Sequence, residues 1–361
     1  MHAAGGSERV VRDSVWPVTD TTLTADQIDA LRARVRELMP QVRADLEDLT
    51  RIPSVSLDSF DQAHVQASAE RTAELLRAEG LDVEIVSEGG RPAVIGHVDG
   101  PEGAPTVLLY AHHDVQPPGD LADWDSDPFE PVERGGRLYG RGAADDKAGV
   151  MAHVAALRAH AGNLPVGVTI FVEGEEEIAS ESLPRILERH GERLRADAIV
   201  LADSTNWEVG VPALTTTLRG MIRVVVKVST LDHAIHSGMY GGAVPDAITA
   251  LIRVLASLHD ADGNVAVQGL SQGLAADLDY DEARLRAESG LLDDVSPIGS
   301  DSILSRLWTK PSITTIGFDA PEAIRAGRIS VDGTLLRYAD ATPAGFARSG
   351  AAPAYASVAG S

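Results

Sequence analysis

Three apolar runs of strand length, each closing on acidic residues, constrain the fold of this chain most. Val107–Ala111, Val166–Val172 and Ala198–Leu201 have the β-branched and aromatic content of buried strands and are too short for core helices. The first stops at His112-His113-Asp114, the second runs into Glu173-Gly-Glu-Glu-Glu177, and the third leads to Asp203. Helical segments lie between them, among them Ala148–His160. This alternation predicts an α/β fold with a mostly parallel or mixed sheet flanked by helices. Open sheets of that class carry their chemistry outside the carboxyl ends of the strands.

Upstream, Thr24-Ala-Asp-Gln27 has the form of a capping box, and Ile28, Leu31, Val35 and Leu38 repeat at helical spacing. Val42, Leu46 and Leu49 continue the repeat, which Pro40 should break or kink. A second helix is expected over Ala67–Ala78, stopped by Gly80, then strands at Leu81–Val86 and Ala93–His97. The polar connection Gln116–Gly136 is of a length that compact domains usually reserve for function or disorder. Near Pro212 the pattern changes. Leu214–Leu218 and Met221–Val228 read as a hairpin and Pro245–Leu258 as a helix, which suits a second, α+β domain. The expected organisation is a loose arm over residues 1–24, an α/β domain over 25–212, the α+β domain over 213–340 and an Ala/Gly/Ser/Pro-rich tail over 341–361.

A net charge of −23 over 361 residues argues against nucleic acid or an anionic membrane as partner. The chain has no cysteine, so any metal must be held by His, Asp and Glu. Met1–Thr24 lacks the apolar segment of a signal peptide and no run reaches transmembrane length, so the cytoplasm is the expected location.

His112 and Asp114 stand two apart on extended chain, so their side chains share a side and the carboxylate can orient the ring of a metal-bound imidazole. A dinuclear site needs a carboxylate bridging cations roughly 3.5–4 Å apart, with terminal His, Asp or Glu ligands and a base for water. His112, Asp145, Glu177 and Asp203 supply that inventory from separate strand ends, and Glu176 is placed to be the base. Each piece has a plainer reading. Glu175–Glu177 also reads as a solvated acidic turn, Asp145-Asp146-Lys147 as a helix N-terminus, and Asp203-Ser204-Thr205 as a cap or turn. Their joint arrival at strand ends favours the metal. His97-Val-Asp99 repeats the His-x-Asp spacing but reads as a strand-end turn before Gly100-Pro101. His113 should point away from His112, and His153 and His160 read as structural.

In order and spacing, His112-His-Asp-Val-Gln-Pro117, Gly140-Arg-Gly-Ala-Ala-Asp-Asp-Lys147, Glu173-Gly-Glu-Glu-Glu-Ile-Ala-Ser180 and Asp203 resemble the M20 family of metallopeptidases over residues 50–320. Val-Gln-Pro, Asp-Asp-Lys and His236-Ser-Gly-Met-Tyr-Gly-Gly242 are most similar to its dipeptidase, carnosinase-like branch. The resemblance implies hydrolysis of dipeptides or small peptides with two Zn²⁺ per subunit, Mn²⁺ or Co²⁺ being substitutes. It implies that His112 and Asp203 bind one metal, Asp114 orients His112, and Asp145, joined to Asp146 by a cis peptide, bridges the two metals. Glu177 would bind the second metal and Glu176 would act as general base. The second domain would be a lid through which a homodimer forms, with His236 reaching the partner subunit's site. The family also carries a later histidine ligand, whereas His259 is the only histidine here after His236. The expectation is therefore a truncated or frame-shifted member with impaired activity. The alternatives are an N-acyl-amino-acid amidase or desuccinylase of the same superfamily, or a non-catalytic dimerising remnant.

Overall fold

Thr24 opens the first helix, α1 (Ala25–Thr50), through a capping box in which its hydroxyl accepts from Gln27 N and the Gln27 side chain accepts from Thr24 N. The computed structural model describes residues 23–215, 218–273, 275, 278–318 and 328–338, the last stretch and Ser237 by backbone alone. The arm over 1–22 and the tail after 338 lie outside the described residues. The chain divides into two units, Met1–Trp207 and Glu208–Ser361.

In the first unit α1 runs unbroken through Pro40, so of the expected break or kink the break does not form. Pro40 and Arg36, whose carbonyl loses its helical partner, are both exposed, so water can satisfy that carbonyl. Helix α2 (Ala63–Ala78) begins four residues earlier than its apolar pattern suggested and ends before Gly80, which takes a positive φ of 86°. Strands β1 (Asp82–Val86), β2 (Ala93–Val98) and β3 (Thr106–His112) follow. A small hairpin, β4 (Val132–Arg134) with β5 (Arg137–Tyr139), closes the long connection. Helix α3 (Lys147–His160), β6 (Gly167–Glu173), α4 (Leu183–His190) and β7 (Ala198–Leu201) complete the unit.

The sheet is mixed, with order β1-β2-β6-β3-β7. Strand β3 pairs parallel with β6 and β7, whereas β1–β2 and β2–β6 are antiparallel. The middle strand β6 is buried along its whole length, which explains its unbroken apolar run. Ile170 and Val172 face a core shared with Leu49, Leu76, Met151 and Val154 of α1, α2 and α3, while Phe171 faces Ile95, Ile186 and Leu194. Each fully buried side chain of this size contributes about 1.5–3 kcal/mol over its exposed state. The helix layer is cross-tied by Asp45, which accepts from Arg71 at 2.9 Å and Arg158 at 2.7 Å, and Arg158 also reaches Glu79 at 2.6 Å. The two sheet edges differ. Strand β1 shows Asp82 and Glu84 to solvent, whereas β7 exposes Ile199 (59%), Val200 (48%) and Leu201 (62%).

The second unit holds β8 (Gly220–Ser229), α5 (Ser237–Tyr240), α6 (Ala247–Ala256), α7 (Glu282–Ser289), β9 (Ser312–Thr315) and β10 (Arg328–Tyr338). Its sheet order is β8-β10-β9, all antiparallel. The hairpin expected between Leu214–Leu218 and Met221–Val228 is not formed in the described residues, and β8 pairs with β10 instead. Thr216 and Thr217 lie outside the described residues. Between Val331 and Thr334 the two residues Asp332 and Gly333 oppose the single Val225 of β8 and form a bulge. An Asp-Gly pair reads locally as a turn, which hid this strand in the sequence. Val226, Val228, Ala247 and Leu251 pack the β8–α6 face.

Candidate metal centre

Parallel pairing of β3 with β6 and β7 brings three carboxyl-terminal strand exits side by side, with His112 opposite Glu173 and Tyr110 opposite Leu201. His112 closes β3 and is fully buried. Its Nε2 lies 3.0 Å from Asp145 Oδ1, 3.9 Å from Glu176 Oε2 and 4.0 Å from Asp203 Oδ2. On the other side of the ring, Nδ1 lies 3.1 Å from Asp114 O and 3.4 Å from Asp114 Oδ1. The donor atoms of His112, Asp145 and Asp203 all lie within 4.8 Å of one another.

The buried Asp114 carboxylate also accepts from Glu176 N at 3.2 Å and Glu177 N at 3.1 Å. It therefore sets both the imidazole and the turn that carries the two glutamates. Gly174 enters that turn where a Cβ would stand 2.1 Å from Pro92 O, so only glycine lets the strands approach there. Glu177 sits on the same turn, its Oε2 accepting from Gln116 Nε2 at 2.8 Å.

The peptide bond between Asp145 and Asp146 is cis. Asp146 precedes α3 but makes no side-chain cap; its Oδ2 accepts from His112 N at 3.1 Å. The plainer reading of this stretch as an ordinary capped helix start thus gives way to a tie between the α3 entry and the β3 exit. Gly149 leaves room for this carboxylate, since a Cβ there would lie 2.1 Å from Asp146 Oδ1. Lys147 is wholly buried, and its Nζ donates to Leu49 O at 2.8 Å and Ile52 O at 2.7 Å at the end of α1. Asp146, Lys147 and Gln116 stand in the sequence motifs, but sequence assigned none of them a role in the site. Their signal was a lysine at a helix start, where acids are the electrostatically favoured residues, and a glutamine two residues after the His-x-Asp spacing.

The electrostatics fit a cation. Burial, with Asp203 and Glu177 adding repulsion and His112 opposing, pushes the Glu176 carboxyl up to about 7. Burial likewise pushes Asp146 up to about 7 against the hydrogen bond from His112 N, and it raises Glu177. For His112 burial disfavours charge, but Asp114 and the carboxylates around it outweigh that and raise its pKa to about 10. Carboxylates crowded around one imidazole draw positive charge to it, a place a cation can take from the ring proton, and a nitrogen with carboxylate oxygens suits Zn²⁺ or Mn²⁺.

Other histidines that the sequence singled out have partners of their own. His113 Nε2 lies 2.9 Å from Pro92 O, and burial lowers its pKa to about 4. His153 Nε2 lies 2.9 Å from Tyr110 O. His97 meets Thr169 at 3.0 Å and Asp99 at 3.2 Å, as a strand-end pair would. His236 belongs to the second unit, where its exposed ring accepts from Gly238 N at 3.1 Å.

A mixed α/β sheet whose strand exits gather one imidazole and several carboxylates has the architecture of a metal-binding hydrolase domain. Residues 108–346 match the model of Peptidase family M20/M25/M40, and the chain belongs to that family. It is 38% identical over 270 residues to a cysteinylglycine-S-conjugate dipeptidase of Corynebacterium striatum, covering 73% of this chain and 59% of the relative. Similarity to the human Beta-Ala-His dipeptidase is 30% over 308 residues, covering 78% and 59%. The chain thus spans about three fifths of the length of these relatives. The crystal structure of human carnosine dipeptidase 1 superposes with a TM-score of 0.70 at 26% identity, covering 89% of this chain and 74% of that one.

Proposed function

We propose that this chain is a metal-dependent dipeptidase that hydrolyses the amide bond of small peptides such as Cys-Gly and β-Ala-His. The observation that carries the reading is the convergence of His112, Asp145 and Asp203 donor atoms within 4.8 Å of one another, with Glu176 Oε2 3.9 Å from the same imidazole. Those three residues would hold one cation, and Asp145 with Glu177 a second, Zn²⁺ being the favoured ion and Mn²⁺ or Co²⁺ substitutes. Cations bound there supply Lewis acidity, polarising the scissile carbonyl and making water easier to deprotonate.

The chain's own residues do the rest. Asp114 orients His112 and fixes the backbone of the glutamate turn. Glu176 takes a proton from water as the water oxygen bonds to the carbonyl carbon, and returns it to the amine as the C–N bond breaks. Its raised pKa, about 7, suits a group that must both accept and donate. The second unit serves as the lid and homodimer interface, with His236 stabilising the oxyanion in the partner subunit's site. The acidic charge of −23 and the lack of a helix long and apolar enough to cross a membrane among the described residues support a cytoplasmic setting.

The test is amino-acid release from Cys-Gly, β-Ala-His and N-acetyl amino acids by chelated and metal-reconstituted protein. Release from the dipeptides alone, dependent on added metal and lost in Glu176→Gln, is the expected result. Turnover confined to N-acetyl amino acids, or none with any of the three cations, refutes the reading.

A further inference from the structure

We propose that Gln116 is a positioning residue that holds the Glu177 carboxylate ready for a cation; this rests on the two-cation reading above. Nε2 of Gln116 donates to Glu177 O at 3.0 Å and to Glu177 Oε2 at 2.8 Å. One amide nitrogen has two hydrogens, so it can grip the main chain and the side chain of the same residue at once. That grip fixes the glutamate torsions against the residue's own backbone. The other oxygen, Oε1, receives no hydrogen bond among the described residues and is left for a cation.

Four hydrogen bonds tie Asp114 and Gln116, beyond the exit of β3, to the glutamate turn. Asp114 takes Glu176 N and Glu177 N, and Gln116 gives to Glu177 O and Oε2. Three of them end on the backbone of the turn. Only the fourth reaches the carboxylate, and without it a flexible side chain must be ordered when the cation arrives. The residue type follows from the task. A lysine would neutralise the carboxylate and compete with the cation, a glutamate would repel it, and an asparagine is one methylene shorter. A neutral amide holds one oxygen without taking the charge.

The test is a double-mutant cycle on Mn²⁺ binding to the full chain, with Gln116→Met, Glu177→Gln and the double variant, read by calorimetry alongside thermal unfolding. Gln116 is exposed, so Gln116→Met should unfold at the parent temperature. It should weaken the weaker Mn²⁺ step about tenfold, as loss of a hydrogen bond to a charged group does, and leave the tighter step unchanged. In the Glu177→Gln background the same substitution should change binding less than about twofold. Folded Gln116→Met with parent-like binding, or an equal loss with and without the Glu177 carboxylate, overturns the proposal. Glu177→Gln with parent-like Mn²⁺ binding refutes the two-cation reading itself, and the proposal falls with it.

Discussion

Asp114→Asn isolates the group that joins the two halves of the centre. The wild-type carboxylate accepts two backbone N–H groups, at 3.2 Å and 3.1 Å, with no exposure to solvent. Burial alone would raise its pKa, but the hydrogen bonds from His112 and Ser56 and the nearby charge of His113 and His112 together outweigh burial and hold the group below the ordinary carboxylate range. An asparagine offers one oxygen and one NH₂. Whichever way it turns, the N–H of Glu176 or Glu177 faces a donor. Losing a hydrogen bond to a charged acceptor and stranding a buried donor costs about 3 kcal/mol. A second consequence falls on the ring. With a neutral amide near Nδ1, His112 keeps Asp114 O at 3.1 Å but loses the charged partner that raises its basicity, and loss of such a partner typically lowers metal affinity by about 10–100-fold. Urea unfolding of chelated protein measures the first effect, and Mn²⁺ titration the second. A variant within about 0.5 kcal/mol in stability and within about twofold in Mn²⁺ affinity would show that Asp114 links nothing.

Two further outcomes follow from the same packing. Burial holds the His153 imidazole below its ordinary pKa, so the unfolded chain binds its proton first as pH falls. Stability from this group is then full above the unfolded value, near pH 6.5, and is lost as pH drops below it, so its contribution to the urea midpoint should fall between about pH 7.5 and pH 5.5, while the raised Glu176, Asp146 and His112 work the other way. His153→Gln, which can still donate to Tyr110 O, should lessen that fall; an unchanged pH dependence rules the residue out as a cause. Strand β7 exposes Ile199, Val200 and Leu201 beside an edge that pairs with no other strand among the described residues. Such an edge templates association, and a lysine there blocks it, so Ile199→Lys should reduce concentration-dependent light scattering. Scattering equal to the parent's would mean that association proceeds elsewhere.

Much of the site was legible locally because its parts are strand ends. An apolar run that stops at His112, another that stops at the glutamates and a third before Asp203 need only periodicity and burial to be recognised. The first helix was equally readable from Thr24 and Gln27, whose reciprocal capping is a contact over three residues. Pro40 was misread because its effect depends on what its neighbours face. Strand β10 was missed because a turn-like Asp-Gly pair sits inside it as a bulge.

The sequence by itself determined which residues are candidates for the chemistry: no thiolate is available, and the imidazole and most of the candidate carboxylates stand where apolar strands end. Tertiary structure decided how they meet. Strand β6 enters between β2 and β3, so the glutamate turn lands beside His112 although more than sixty residues separate Asp114 from Glu176. The same long-range packing turned Asp146 from a helix cap into a partner of His112 N and sank Lys147 against the end of α1. Local periodicity reports the face a residue turns to the core. Which strand lies next to which is set by chain crossings that bury both sheet faces, and neighbouring residues carry no record of those crossings.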